Sequence, residues 1–251
     1  MKPNKARDSV AFCLGIVLLG CLIQAAGYLK GDALVFPGVG EILRAFIRLL
    51  GAAETWGKIG TTVLHLTVSV AIAAVLGTAL GMAMGMNAFV RNLLRPTMIL
   101  LRSLPMIVLT VIVMVLMNYS RVPVTASVLV LTPLIAEAAC EGCRRIDREL
   151  IDVYRLNSAL NPAVLFRVYL PLTAGYLKQA YVNAVGMGIR LAVSTEYLVQ
   201  TKNSLGKAVY SAGYFNEYQD IYAYALIMVL LVLAVSALPP LIGRLAGNQE
   251  N

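Results

Sequence analysis

The chain carries long unbroken apolar runs, and their length is what most restricts its fold. "GTTVLHLTVSVAIAAVLGTALGMAMGM", residues 60–86, contains no acidic or basic side chain except His65. At 1.5 Å per helical residue, about 20 residues cross the hydrocarbon of a bilayer. Six blocks of roughly that size recur, at 10–29, 60–86, 96–117, 122–139, 178–199 and 221–242. Composition agrees: 59% of the 251 residues are hydrophobic and 14% are charged, against about 25% charged in a soluble domain. Mean hydropathy is +0.76. A membrane β-barrel would show short alternating segments instead. The expected fold is therefore all-α and polytopic, one transmembrane domain with six spans.

The net charge of +8 has a membrane explanation, because Lys and Arg collect in cytoplasmic loops. No basic stripe with interleaved aromatics points to nucleic acid. With six spans both termini share a side. That side holds twelve Lys and Arg outside the spans against seven on the other, so the termini and the long 140–177 segment are expected in the cytoplasm. The first run follows Lys2, Lys5 and Arg7, and "LLGC" at 18–21 has the look of a lipoprotein cleavage site. It stays apolar past Cys21, so it reads as a retained first span.

Between the first two spans, residues 38–50 read as an amphipathic helix in the membrane interface. Ile42, Leu43, Phe46, Ile47 and Leu50 would form its apolar face, and Glu41, Arg44 and Arg48 its polar one. Pro96 reads as the entry to the third span and Pro105 as a bend within it. Gly77, Gly81 and Gly85, four apart with Ala73 just before, form a small-residue seam. In lipid such a seam lets another backbone come close. Its partner is another helix of this chain or a second subunit.

The segment 140–177 is the one long polar stretch on the cytoplasmic side. "ELIDVYRLNSAL" is compatible with a short helix near 150–160, with Leu150, Val153, Tyr154 and Asn157 on one face and Asn161-Pro162 as its stop. Such a helix buries an apolar face only on its own bundle or on a partner protein.

These residues resemble the membrane subunit of type I ABC importers of the binding-protein-dependent class, with the nitrate/sulfonate/taurine branch nearest. That family's cytoplasmic loop reads Glu-Ala-Ala, three residues, Gly, nine residues, then Ile-x-Leu-Pro. "VYLP" supplies Leu170-Pro171. Counting back nineteen residues from Pro171 reaches Asp152, so Glu137-Ala138-Ala139 is not the loop motif despite its spelling. In the matching register Asp152 holds the acidic position, Val153 and Tyr154 the alanine positions, Ser158 the glycine position and Val168 the isoleucine position. "FPGVGEIL", "LLRSLPMIVL", "LPLTAGYL", "STEYL" and "SLGKAVYSA" also resemble family stretches.

The resemblance implies a permease subunit, paired with a second permease subunit as a homodimer. Two cytosolic ATPase subunits would bind below, and an extracytoplasmic substrate-binding protein above. ATP and Mg would be bound by the ATPase partner, with no cofactor on this chain. Asp152, Val153, Tyr154, Arg155, Leu156 and Ser158 would be the ATPase-coupling residues. The cargo would be a small solute of the nitrate/sulfonate/taurine kind, anionic if Arg102 faces the pathway, and the bacterial inner membrane would be its setting.

The residues themselves supply no catalytic constellation. There is no G-x-x-x-x-G-K-[ST], since Gly206-Lys207 lacks the upstream glycine and the hydroxyl residue. The Cys140-x-x-Cys143 pair has no second pair or histidine cluster, so no metal site is expected. His65, the one histidine, reads as a packing residue. Arg102, Arg190 and Glu196 fall at or inside spans, where a charge costs about 2.5–3.5 kcal/mol and so faces protein or water. Arg102 and Glu196 are the pathway candidates, Glu196 being placed near the outer end with water close by. Arg190 and Glu196, six residues apart, lie on different helix faces. The competing class is a stand-alone secondary carrier or channel, which would be expected to show inverted repeats and interrupted helices meeting at mid-membrane.

Overall fold

The computed structural model describes residues 37–147, 149 and 165–246, with side chains of 165, 166 and 236–246 left aside. The described residues form helices α1 (Val39–Gly51), α2 (Ala53–Met86), α3 (Ala88–Ser103), α4 (Met106–Leu116), α5 (Val122–Arg144), α6 (Leu170–Val199), α7 (Leu205–Tyr214) and α8 (Tyr218–Ala246). A 3₁₀ turn at Tyr119–Arg121 leads into α5 and a π turn at Leu165–Tyr169 into α6. The first expected span, 10–29, and the segment near 150–160 lie outside the described residues.

α2, α8 and the stretch Tyr119–Arg144 are each long and apolar enough to cross a membrane. α2 has 34 residues, about 50 Å of helix, so it overruns the ~30 Å hydrocarbon layer. The expected third span, 96–117, is not one helix. α3 and α4 meet at an angle of 106° and together have the length and composition of a fourth crossing. The bend follows from Pro105, which lacks a backbone donor and drives the residue before it out of the helical region. Leu104 is accordingly extended, at φ −68° and ψ 129°. Pro96, by contrast, lies inside a helix. α3 begins eight residues earlier, where the side chain of Asn87 accepts a hydrogen bond from Phe89 N at 2.9 Å. α6 also starts ahead of its expected position, at Leu170 rather than 178, with Pro171 in its first turn.

The centre of the bundle is the contact of α2 with α5. A Cβ built on Gly77 would stand 2.8 Å from Ile135 Cβ, one on Gly81 2.6 Å from Ala139 Cβ, and one on Gly85 2.5 Å from Cys143 Cβ. No real side chain fits at these separations. The glycine seam is thus filled by α5 of the same chain, and Ala73, Ala136 and Ala139 are fully buried along it. α6 packs on the neighbouring side of α5. There Gly142 lies against Thr173 and Tyr176, and Leu177 and Ala184 join the core cluster of Leu131 and Ile135.

α1 buries part of the expected face, with Ile42 buried and Phe46 and Leu50 partly buried, but its buried stripe is shifted to include Ala45 and Leu49. Ala45 and Leu49 are covered by Leu205, Ala223, Tyr224 and Ile227, while Leu43 and Ile47 stay exposed. Docking on α8 decides this rotation, and Arg48 meets Asp220 of α8 in an ion pair.

Substituting Gly81 with leucine should wedge α2 from α5 and cost about 1–3 kcal/mol or more. It should lower the melting temperature of the detergent-solubilised protein. Gly60→Ala, on the same helix with nothing within 4 Å of the added Cβ, should leave it unchanged or slightly higher.

Candidate functional site: polar groups of the bundle

Three polar groupings stand out in this apolar framework. The first is enclosed. Glu196 on α6 is 0% exposed, although the sequence placed it beside water. Its Oε2 accepts a hydrogen bond from Thr62 Oγ1 at 2.8 Å and one from Gly206 N at 3.2 Å, and its Oε1 meets His65 Nδ1 at 2.7 Å. Thr62 Oγ1 in turn accepts from Leu205 N at 3.1 Å. Leu205 and Gly206 open α7, so the first free amide donors of that helix end on a buried carboxylate and a hydroxyl. This is N-terminal capping from across the bundle, with the negative group at the positive end of the helix. Ser204 Oγ takes the next donor, Lys207 N, at 3.2 Å. Gly206 is required here because its backbone presses on α6, and a Cβ would lie 2.5 Å from Glu196 Cβ.

This network corrects two readings. Glu196 does not line an aqueous pathway within the chain, and His65 is not merely a packing residue. Against a carboxylate the imidazole serves as donor through Nδ1–H. Thr62 and His65, three apart on α2, share a face, but their partners sit more than 130 positions away. Local periodicity carries no sign of that.

The second grouping is open. Arg102 of α3 forms an ion pair with Glu137 of α5, their side chains 47% and 66% exposed. Glu137-Ala138-Ala139 therefore lies within a bundle helix. Its glutamate reaches α3 and its last alanine seats Gly81. One turn further on, Glu141 accepts from Arg145 Nε at 2.8 Å.

The third is a stripe on α6. Gln179, Asn183 and Arg190, at i, i+4 and i+11, share one helix face, and all three are exposed. Gln179 donates to Asn183 at 3.2 Å. A shallow cleft of about 340 Å³ between α5 and α6 contains Gln179 and Asn183.

The six ATPase-coupling candidates, Asp152, Val153, Tyr154, Arg155, Leu156 and Ser158, lie outside the described residues. The structure does describe how the ends of their segment are held. Arg145 stacks over the Tyr176 ring at 5.7 Å, and Ile146, Val168 and Tyr169 pack on the α5–α6 core. Both ends of the segment are thereby tied to one end of the α5–α6 pair.

Glu196→Ala would strand Gly206 N and leave His65 unpaired, a change expected to cost about 3–5 kcal/mol. Proteolysis near 200–206 and a thermal melt would register it. Glu196→Gln keeps an acceptor and should cost distinctly less.

Comparison with known proteins places this geometry. The fold is similar to that of a chain in an inward-facing MetNI methionine ABC transporter, with a TM-score of 0.64 at 20% identity over 74% of this chain and 93% of that one. A second crystal form of that transporter, soaked with selenomethionine, gives a TM-score of 0.65 at 19% identity over the same shares, 74% and 93%. A bacterial ABC transporter that imports the acidic polysaccharide alginate gives 0.68 at 12% identity over 95% of this chain and 96% of that one. At these identities the likeness is one of fold. No curated protein matches the chain in sequence. The family of binding-protein-dependent transport system inner membrane components matches residues 73–246, from the glycine seam to the end of α8, and the chain belongs to that family.

Proposed function

We propose that this chain is the permease subunit of an ATP-driven importer, that two copies pair around a central pathway, and that the exposed polar faces of α5 and α6 line it. The observation that carries this reading is the stripe of Gln179, Asn183 and Arg190 together with the Arg102–Glu137 pair. All five side chains are uncovered by this chain. Hydrocarbon is an unfavourable neighbour for them, at about 2.5–3.5 kcal/mol for each central charge. Water in a pathway, or a second copy bordering it, removes that cost.

Glu137 neutralises Arg102, so Arg190 leaves the stripe with a net positive charge. A small anionic solute of the nitrate, sulfonate or taurine type fits that sign, and a separate extracytoplasmic binding protein would deliver it. Chemistry on ATP belongs to a cytosolic partner. The segment around Asp152 and Tyr154 would receive the partner's movement, and the Arg145–Tyr176 and Val168–Tyr169 anchors would pass it to α5 and α6. A ligand shifts such a two-state bundle only through contacts that differ between the states. Rocking of packed helices is the motion available to it.

Two measurements test this. With native cysteines replaced, Asn183→Cys and Arg190→Cys should react with a charged, membrane-impermeant thiol reagent, whereas Leu226→Cys on the apolar face of α8 should resist it. Equal protection at all three positions would remove the pathway. Separately, the assembled transporter should contain a stoichiometric ATPase whose hydrolysis rises when loaded binding protein is added. Asp152→Ala with Tyr154→Ala should keep hydrolysis while cutting uptake at least tenfold. Activity of the chain alone, without an ATPase, would instead indicate a stand-alone carrier.

A further inference from the structure

A cleft of about 420 Å³ opens between α3 and α5, and its charges do not balance. Arg91, Arg95 and Arg102 lie on one face of α3, at i, i+4 and i+11, and Arg144 faces them from α5. Two carboxylates share the space. Glu137 is held by Arg102, and Glu141 by Arg145 and, at 3.8 Å, Arg144. Arg91 and Arg95 have no carboxylate partner among the described residues. Two guanidiniums one turn apart repel each other, so the cleft gains from an anion.

The walls also have a particular chemistry. Met84, Met98 and Ile99 add apolar surface beside the arginines. The opposite face of α3 carries Phe89, Leu93 and Leu100, exposed by 74%, 63% and 61%. α3 thus stands with hydrocarbon on one side and a basic cleft on the other. Arg95, Arg102 and Arg144 are open to solvent, and the arginines of α3 repeat over three turns on the face turned to α5. Guanidinium forks match phosphate oxygens two at a time, and basic clefts between membrane helices are where phosphorylated headgroups bind.

We propose that the α3–α5 cleft is a binding site for a phosphate-bearing anion, with the phosphate seated between Arg91, Arg95 and Arg144. The phosphate comes from the headgroup of an anionic phospholipid or from soluble phosphate. The cleft includes the Arg102–Glu137 pair of the proposed pathway lining, but the phosphate seat uses neither residue, and the test reads it without transport.

The test uses the full chain, purified with whatever partner subunits it retains and stripped of lipid in detergent. One arm adds mixed micelles of phosphatidylglycerol or phosphatidylcholine and counts retained lipid by native mass spectrometry. The other adds inorganic phosphate and follows the melting temperature, with chloride at equal ionic strength as reference. A phosphatidylglycerol preference of about tenfold, lost in Arg91→Gln/Arg95→Gln and largely kept in Arg91→Lys/Arg95→Lys, supports the site with lipid as its source. Stabilisation by phosphate with the same dependence on the two arginines supports it with soluble phosphate as the source. The wild-type preference should also collapse between low and high salt, a readout that needs no variant to fold. Equal retention of both lipids together with no phosphate effect on the wild-type protein overturns the proposal. So does any preference that survives the glutamine pair unchanged.

Discussion

The close approach of α2 and α5 is the contact on which the other arrangements depend. Helices in lipid gain little from hiding apolar side chains from one another, since the hydrocarbon is as apolar as they are. Association then rests on how near two backbones come. Gly77, Gly81 and Gly85 remove every side-chain atom from one side of that contact, and Ala136, Ala139 and Cys143 keep the other side small. With α5 fixed in this way, its remaining faces are assigned. One accepts α6 through Gly142 and Thr173, and another turns Glu137 and Glu141 towards α3.

The polar groups follow the same economy in two opposite ways. Glu196 is removed from water altogether, and that is tolerable because three donors or near neighbours converge on it. Its reward is structural: it terminates α7 from within the bundle and ties α2, α6 and α7 together. Arg102, Glu137, Asn183 and Arg190 take the other course. They remain uncovered, on faces that hydrocarbon would not accept. The bundle thus has both an enclosed polar junction and an exposed polar side. This is the division of labour that a permease subunit needs.

Much of this could be read from residue order. The apolar blocks gave the class of fold, the glycine spacing gave a close helix contact, and Pro105 gave a bend. Each is a local property with a local cause. Where the structure departs from these readings, the cause is either a stronger local signal nearby or a partner remote in sequence. Pro96 suits the first turn of a helix, but the cap at Asn87 opens α3 earlier. The periodicity of α1 places Ile42, Phe46 and Leu50 on its inner side, and contact with α8 adds Ala45 and Leu49 while Leu43 and Ile47 stay out. Glu196 reads as a group close to water, but Thr62 and His65 of α2 and Gly206 of α7 enclose it.

Residue order alone determined that the chain is a set of membrane helices, roughly where several of them run, and that one of them carries a seam with no side chains. These follow from hydration and backbone stereochemistry within a window of a few turns. Tertiary structure alone decided which helix fills the seam, which carboxylate is buried and which exposed, and that the arginines of α3 face a cleft. Those outcomes depend on distances between segments dozens to more than a hundred residues apart, and a pairing across such separations is settled by the packing of the whole bundle.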